Sequence, residues 1–151
     1  MTPPPLIGRA FSKLHGLGND FIILDARLGD PLRWADVLTQ EAVRALCRRG
    51  HGIGADGVIL ALPGEESGSS GRMRILNADG SEPEMCGNGL RCLAKWFYER
   101  GARGNAAPEL LVIETGAGPL SCEVFVRSGG EVCEVEVGMG RARLELCELP
   151  M

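Results

Sequence analysis

Asn77-Ala78-Asp79-Gly80-Ser81-Glu82-Pro83-Glu84-Met85-Cys86-Gly87-Asn88-Gly89-Leu90-Arg91-Cys92 passes from turn formers into a helix-forming run, with a cysteine at the junction. Backbone N–H groups at a helix start lack intrahelical partners and carry a partial positive charge, so they favour an anion beside them. A thiol at such a place is stabilised as its thiolate. That marks Cys86 as a candidate nucleophile or acid/base group, against the plainer reading of a small residue tucked behind a helix start. Gly87 and Gly89 remove side chains on either side of Asn88, which leaves amides bare for a carboxylate or phosphate. Cys92 follows six residues on, about 240° around a regular helix, so it belongs to the buried face and not to the site.

Working outward, residues 88–100 place Leu90, Leu93, Ala94 and Phe97 on one face, with Gly101 as a stop. Upstream, residues 11–15 and 21–25 read as a hairpin across Gly16-Leu17-Gly18-Asn19-Asp20. Thr39 caps a helix expected over 40–49, where Ala42, Val43, Leu46 and Cys47 form the stripe and Gly50 the C′ position. Strands are expected at 58–62, 73–76 and 110–114, with a flexible loop over 63–71. Residues 120–127 alternate, turn at Ser128-Gly129-Gly130, and return through Cys133, Val135 and Val137. After Gly138-Met139-Gly140-Arg141 the pattern reads as interrupted.

Bulk properties narrow the classes. The chain has 151 residues, 44% hydrophobic and 24% charged, with a net charge of −4. No basic stripe suits a nucleic acid, no run suits a membrane span, and no signal peptide precedes the first strand, so a cytoplasmic protein is expected. The six cysteines include no CxxC pair and neither histidine (His15, His51) lies near one, so neither a metal site nor a disulfide framework is expected. Cys47, Cys122 and Cys133 read as small hydrophobes on apolar faces.

Three features carry weaker signals. Gly52-Ile53-Gly54-Ala55-Asp56-Gly57 matches the dinucleotide GxGxxG, but that fingerprint needs a strand before it and a helix after it; here the order is reversed. A tight helix-to-strand connection is the better reading. Asn19 and Asn77 lie in turns, where Asn commonly bonds its own backbone. They become a pair of binding groups only if the fold carries both loops to Cys86. His15 and His51 have no carboxylate or serine at a useful spacing and receive no role.

Four blocks, in order, resemble diaminopimelate epimerase, the cofactor-independent isomerase of lysine and peptidoglycan-precursor synthesis. They are His15-Gly16-Leu17-Gly18-Asn19-Asp20-Phe21, residues 52–57, Asn77-Ala78-Asp79-Gly80-Ser81, and Met85 through Cys92. The resemblance covers nearly the whole chain but only the first half of the family protein. It implies an α/β (α+β) fold, a mixed sheet wrapped around a central helix, with the beginning of a second pseudo-symmetric domain. On that basis 1–119 is the N-terminal domain, lacking a closing strand from the far C-terminus, and 120–151 starts the second.

Carried over by residue, the resemblance makes Cys86 the first catalytic cysteine. Asn19 and Asn77 become substrate-binding asparagines, and Gly87-Asn88 the amides that hold the α-carboxylate. Some family members have Gln where this chain has Gly57, so no contact is assigned there. The second catalytic cysteine is not supplied: Cys122, Cys133 and Cys147 are each followed by Glu instead of the expected glycines. The implied ligand is the small molecule diaminopimelate, with no cofactor, and the implied partner is a second copy or a separately encoded second half. Two other readings stay open, a non-catalytic substrate- or partner-binding fragment and a related two-cysteine amino-acid racemase of the proline type. A lone half is expected to self-associate through the face of Val124, Val126, Val135 and Val137.

Overall fold

Two neighbouring strands, Phe21-Ile22-Ile23-Leu24 and Val58-Ile59-Leu60-Ala61-Leu62, are apolar without alternation because both of their faces are covered. Phe21, Ile23, Ile59 and Ala61 face one core cluster, while Ile22, Leu24, Val58 and Leu60 face another. A sheet with helices on both sides follows. The computed structural model describes residues 8–28, 34, 36–101 and 109–141.

The elements are β1 (Ser12–Gly16), β2 (Asn19–Asp25), α1 (Gln40–Cys47), β3 (Gly57–Leu62) and β4 (Gly71–Asn77). They continue with α2 (Gly87–Glu99), β5 (Glu109–Thr115), β6 (Gly118–Val126) and β7 (Val132–Val137). The seven strands form one sheet in sequence order. β2–β3 and β4–β5 pair in parallel; the other four pairs are antiparallel. The expected mixed sheet around a helix is therefore present. The sheet curls about α2, which touches both edge strands, β1 and β7. That enclosure explains why α2 buries Trp96 and Tyr98 as well as the anticipated Leu90, Cys92, Leu93, Ala94 and Phe97.

α1 begins as expected, with the Thr39 hydroxyl accepting from the Ala42 N–H. It ends two residues early, at Cys47, and the glycine motif is the reason. Gly52 N–H donates to Arg48 O, Gly54 N–H to Leu46 O and Ala55 N–H to Cys47 O, so the returning loop satisfies the last carbonyls of the helix. A Cβ at Gly52 would lie 2.1 Å from Ala45 O, which only glycine allows. GxGxxG here is a helix-ending loop that delivers the chain to β3.

The β6–β7 hairpin forms, and its apolar face lies on α2: Cys122 and Val124 are fully buried, and Val126, Val132, Val135 and Val137 pack against the same core. The expectation that this face stands exposed is corrected, because the sheet curls far enough to seat it on the helix. Cys133 is corrected too. A register shift between Phe125 and Val126 pairs Phe125 with Glu134 and Val126 with Val132. The bulge throws Cys133 to the exposed side, where its thiol donates to Phe125 O. The sheet runs without a break through residues 119–120, inside β6.

The β1–β2 turn holds a strained residue. Leu17 adopts φ 52° and Gly18 φ 94°, the left-handed pair that suits Asn-Gly, and the leucine is 83% exposed. Leu17→Asn is expected to raise stability by about 1 kcal/mol, since Asn tolerates this region where a branched apolar side chain does not. A urea midpoint that stays or falls would show that the turn stores no such strain.

Candidate active site

The strand register brings the separated motifs to one end of the sheet. Gly57 pairs with Phe21 on one side and with Asn77 on the other, so the start of β2, the start of β3 and the end of β4 lie abreast. Asp56 N–H donates to Asp20 O and Ala78 N–H to Asp56 O, which staples the three together. The first turn of α2 reaches the same place, because Asn88 Nδ2 donates to Asn19 Oδ1 at 2.7 Å.

Cys86 is the N-cap of α2, with extended backbone (φ −147°, ψ 117°) and no capping bond from its side chain. Its half-buried sulfur is thus left for other chemistry. Leu90 N–H to Cys86 O is the first bond of the helix, so the N–H groups of Gly87, Asn88 and Gly89 precede the ladder. The two glycines differ in purpose. At Gly87 the nearest atoms a Cβ would meet belong to Met139 and Arg91, at 3.7 Å and beyond, so packing does not demand a glycine there. At Gly89 it would lie 3.1 Å from the tips of Ile59 and Ile75, so that glycine serves close helix–sheet packing.

Of the residues singled out, Asn19, Asn88 and Cys86 converge directly. Asn77 lies at the same end, but its amide donates to Ser81 Oγ at 2.9 Å within its own turn. Asp79 braces that turn by accepting from the Ser81 N–H and hydroxyl, and Arg44 donates to Asp79 O. Among the described residues, Asn77 Oδ1 accepts no bond. Cys92 is buried, and desolvation first, then the neighbouring Cys86, pushes its thiol up to about 11. Burial likewise pushes Cys122 up to about 12 and raises Cys47. These thiols are inert packing groups at neutral pH. No group of three or more His, Cys, Asp or Glu among the described residues is arranged to hold a metal.

A charged cluster that the sequence reading passed over flanks the site. Arg49 donates to both Asp20 oxygens and to Asp56 Oδ1, and Lys13 pairs with Asp20 at 3.0 Å. The Arg49 hydrogen bond is the main cause holding the Asp20 carboxyl well below its ordinary 3.8. A folded-state value below the unfolded one contributes stability that is complete above pH 3.8 and drains as the pH falls beneath it. Acid unfolding is therefore expected to begin at higher pH and with a shallower slope in Asp20→Asn, measured by circular dichroism. An unchanged acid limb would assign the acid sensitivity elsewhere. The available signal was the acidic residue inside the glycine motif, Asp56, together with Arg49 two residues past α1.

With this geometry in hand, the fold matches those of an epimerase and an isomerase of known structure. It is shared with a hydroxyproline epimerase from Agrobacterium vitis (TM-score 0.64, 20% identity, 84% of this chain and 40% of that one). It is also shared with a methylitaconate-delta-isomerase (TM-score 0.64, 13% identity, 82% and 36%). Sequence is more specific. Residues 11–145 match the family described as diaminopimelate epimerase. The chain is 47% identical over 141 residues to diaminopimelate epimerase of Heliobacterium modesticaldum, covering 93% of this chain and 48% of that protein. It is 49% identical over 142 residues to that of Synechococcus elongatus, covering 93% and 45%. The chain belongs to the diaminopimelate epimerase family. It spans about half the length of the curated relatives it matches. None of its described helices is long and apolar enough to cross a membrane.

Proposed function

We propose that this chain is the N-terminal half of a diaminopimelate epimerase, working in the cytoplasm on L,L- and meso-diaminopimelate. Its share of the task is to hold the α-carboxylate at the start of α2 and to supply Cys86 as one of two acid/base thiols. The observation that carries this reading is the uncapped Cys86 sulfur at a bare helix start, with Asn19 and Asn88 bonded to each other alongside.

The chemistry follows from those parts. Inverting a carbon next to a carboxylate means removing a weakly acidic proton from one face and returning one to the other. A thiolate takes it and a thiol opposite delivers it, so no cofactor is required. Negative charge builds on the carboxylate as the proton leaves, and the N–H groups of Gly87, Asn88 and Gly89 are already aimed for it. Losing one preorganised donor of this kind typically costs about 3–4 kcal/mol. Asn77 Oδ1, at the same end, is an acceptor for the substrate ammonium.

The opposing thiol belongs to a second half. The seam between β1 and β7, a groove of about 690 Å³ floored by Arg91, Cys92 and Lys95, takes the closing strand that the family adds from outside these residues. The test is reconstitution: incubate the chain with L,L-diaminopimelate in D2O, alone and with a separately made second half, and follow deuterium entry and meso product. Turnover is expected only with both halves. Turnover by the chain alone would mean that its own residues complete the acid/base pair.

A further inference from the structure

We propose that Asp56 and Arg91 are positioning residues that set the direction of a hydrogen-bond chain through Asn19 and Asn88. The chain leaves each amide with one N–H for an anionic ligand. The inference deepens the reading of this site as a carboxylate cradle and rests on it.

The chain runs across four residues from three segments. Arg91 Nη1 donates to Asn88 Oδ1 at 2.8 Å, Asn88 Nδ2 donates to Asn19 Oδ1 at 2.7 Å, and Asn19 Nδ2 donates to Asp56 Oδ2 at 3.3 Å. An amide side chain alone has no preferred direction, since its oxygen and nitrogen ends are nearly the same size. The two ends of this chain remove the ambiguity. A guanidinium has only donors and a carboxylate only acceptors. Turning Asn19 over would set its oxygen against the Asp56 carboxylate, and turning Asn88 over would set its NH2 against the Arg91 guanidinium. Either flip makes two repulsive contacts, so the two ends force both amides into one orientation.

The acceptor end is itself anchored. Asp56 Oδ2 also accepts from the Asp20 N–H at 3.0 Å, and Oδ1 accepts from Arg49 Nη2 at 2.9 Å. Asp56 sits in the short link that caps α1 and opens β3, so its place is fixed by the glycine loop described above. Arg91 is one helical turn beyond Asn88, the spacing at which side chains on a helix meet.

The orientation has a chemical consequence. Each NH2 has two hydrogens and each uses one within the chain; among the described residues the second of each has no protein partner. With the N–H groups of Gly87, Asn88 and Gly89, the local surplus is of donors, which suits a carboxylate. A flipped Asn19 would offer its oxygen toward Asn88 no longer, and the pair would lose its shared geometry.

The test uses the chain uniformly labelled with 15N and 13C. A scalar coupling across the hydrogen bond, from Asn88 Nδ2 to Asn19 Cγ, reports direction as well as contact, and a merely structural role would not define its sense. Affinity for meso-diaminopimelate is titrated on the same samples. Wild type and Arg91→Lys, which keeps a donor-only end, are expected to show the coupling. Asp56→Asn and Arg91→Met are expected to lose it and to bind about tenfold more weakly, about 1.4 kcal/mol. The two variants lie on different segments, so misfolding of one leaves the other to decide.

The proposal is overturned if wild type lacks the coupling or shows it in the opposite sense. It is also overturned if both variants keep wild-type affinity. Should wild type show no affinity for meso-diaminopimelate while the coupling is present and lost in both variants, the substrate assignment falls and the positioning pair stands.

Discussion

Cys86→Ala is expected to lower α-proton exchange by roughly 10²–10⁴-fold in the reconstituted halves, the range that a positioned acid/base group supplies. The fold is expected to survive, because the sulfur makes no capping bond and is half-buried. Cys86→Ser separates the two roles more sharply. A serine at an N-cap accepts from the exposed amides and outperforms alanine there by about 1 kcal/mol. Its hydroxyl, however, is far too weak an acid to exchange a proton with an α-carbon at neutral pH. Stability above that of Cys86→Ala, combined with lost exchange, is the signature of a cap position used for chemistry. Exchange that persists in either variant would remove Cys86 from the reaction.

Phe97→Ala is expected to cost about 3–5 kcal/mol, measured by urea denaturation. The ring is fully buried at the centre of the larger core and meets Trp96 edge-on at 5.5 Å. Since whole domains are stable by only about 5–15 kcal/mol, this one truncation brings the chain close to unfolding. Its neighbour on β4 supplies a second arm. A Cβ at Gly71 would fall 2.3 Å from Phe97 Cζ, so Gly71→Ala forces the ring out of place. The penalties are expected not to add: Phe97→Leu in the Gly71→Ala background should recover part of the loss. Additivity within about 0.5 kcal/mol would mean that the two residues do not share that space.

The local patterns were legible where one principle dominated. Thr39 announced the start of α1 because a hydroxyl there meets a free amide whatever surrounds it. Leu90, Leu93, Ala94 and Phe97 announced the buried face of α2 by their spacing. The site was legible as separate blocks, and the register of β2, β3 and β4 joined them. What failed to show was anything set by a partner distant in sequence. Cys133 alternated correctly with Val135, yet a bulge opposite Phe125 turned it outward. The valine face looked uncovered because nothing in residues 120–137 reveals that the sheet curls back onto α2.

Asp56 shows the same division at the site. In sequence it is an acidic residue inside a glycine-rich loop, with Arg49 seven positions before it as the one hint of a role. In three dimensions it meets Asn19 and Asp20, 37 and 36 positions away, and Arg49, seven away. From order and spacing alone came the central helix and the cysteine at its start, because those depend on contacts within a turn or two of chain, while the family came from the likeness of four motif blocks to known sequences. The direction of the asparagine amides, the purpose of each glycine and the open seam between β1 and β7 came from folding. Hydrogen bonds and packing act through space, and their geometry exists only once remote segments lie side by side.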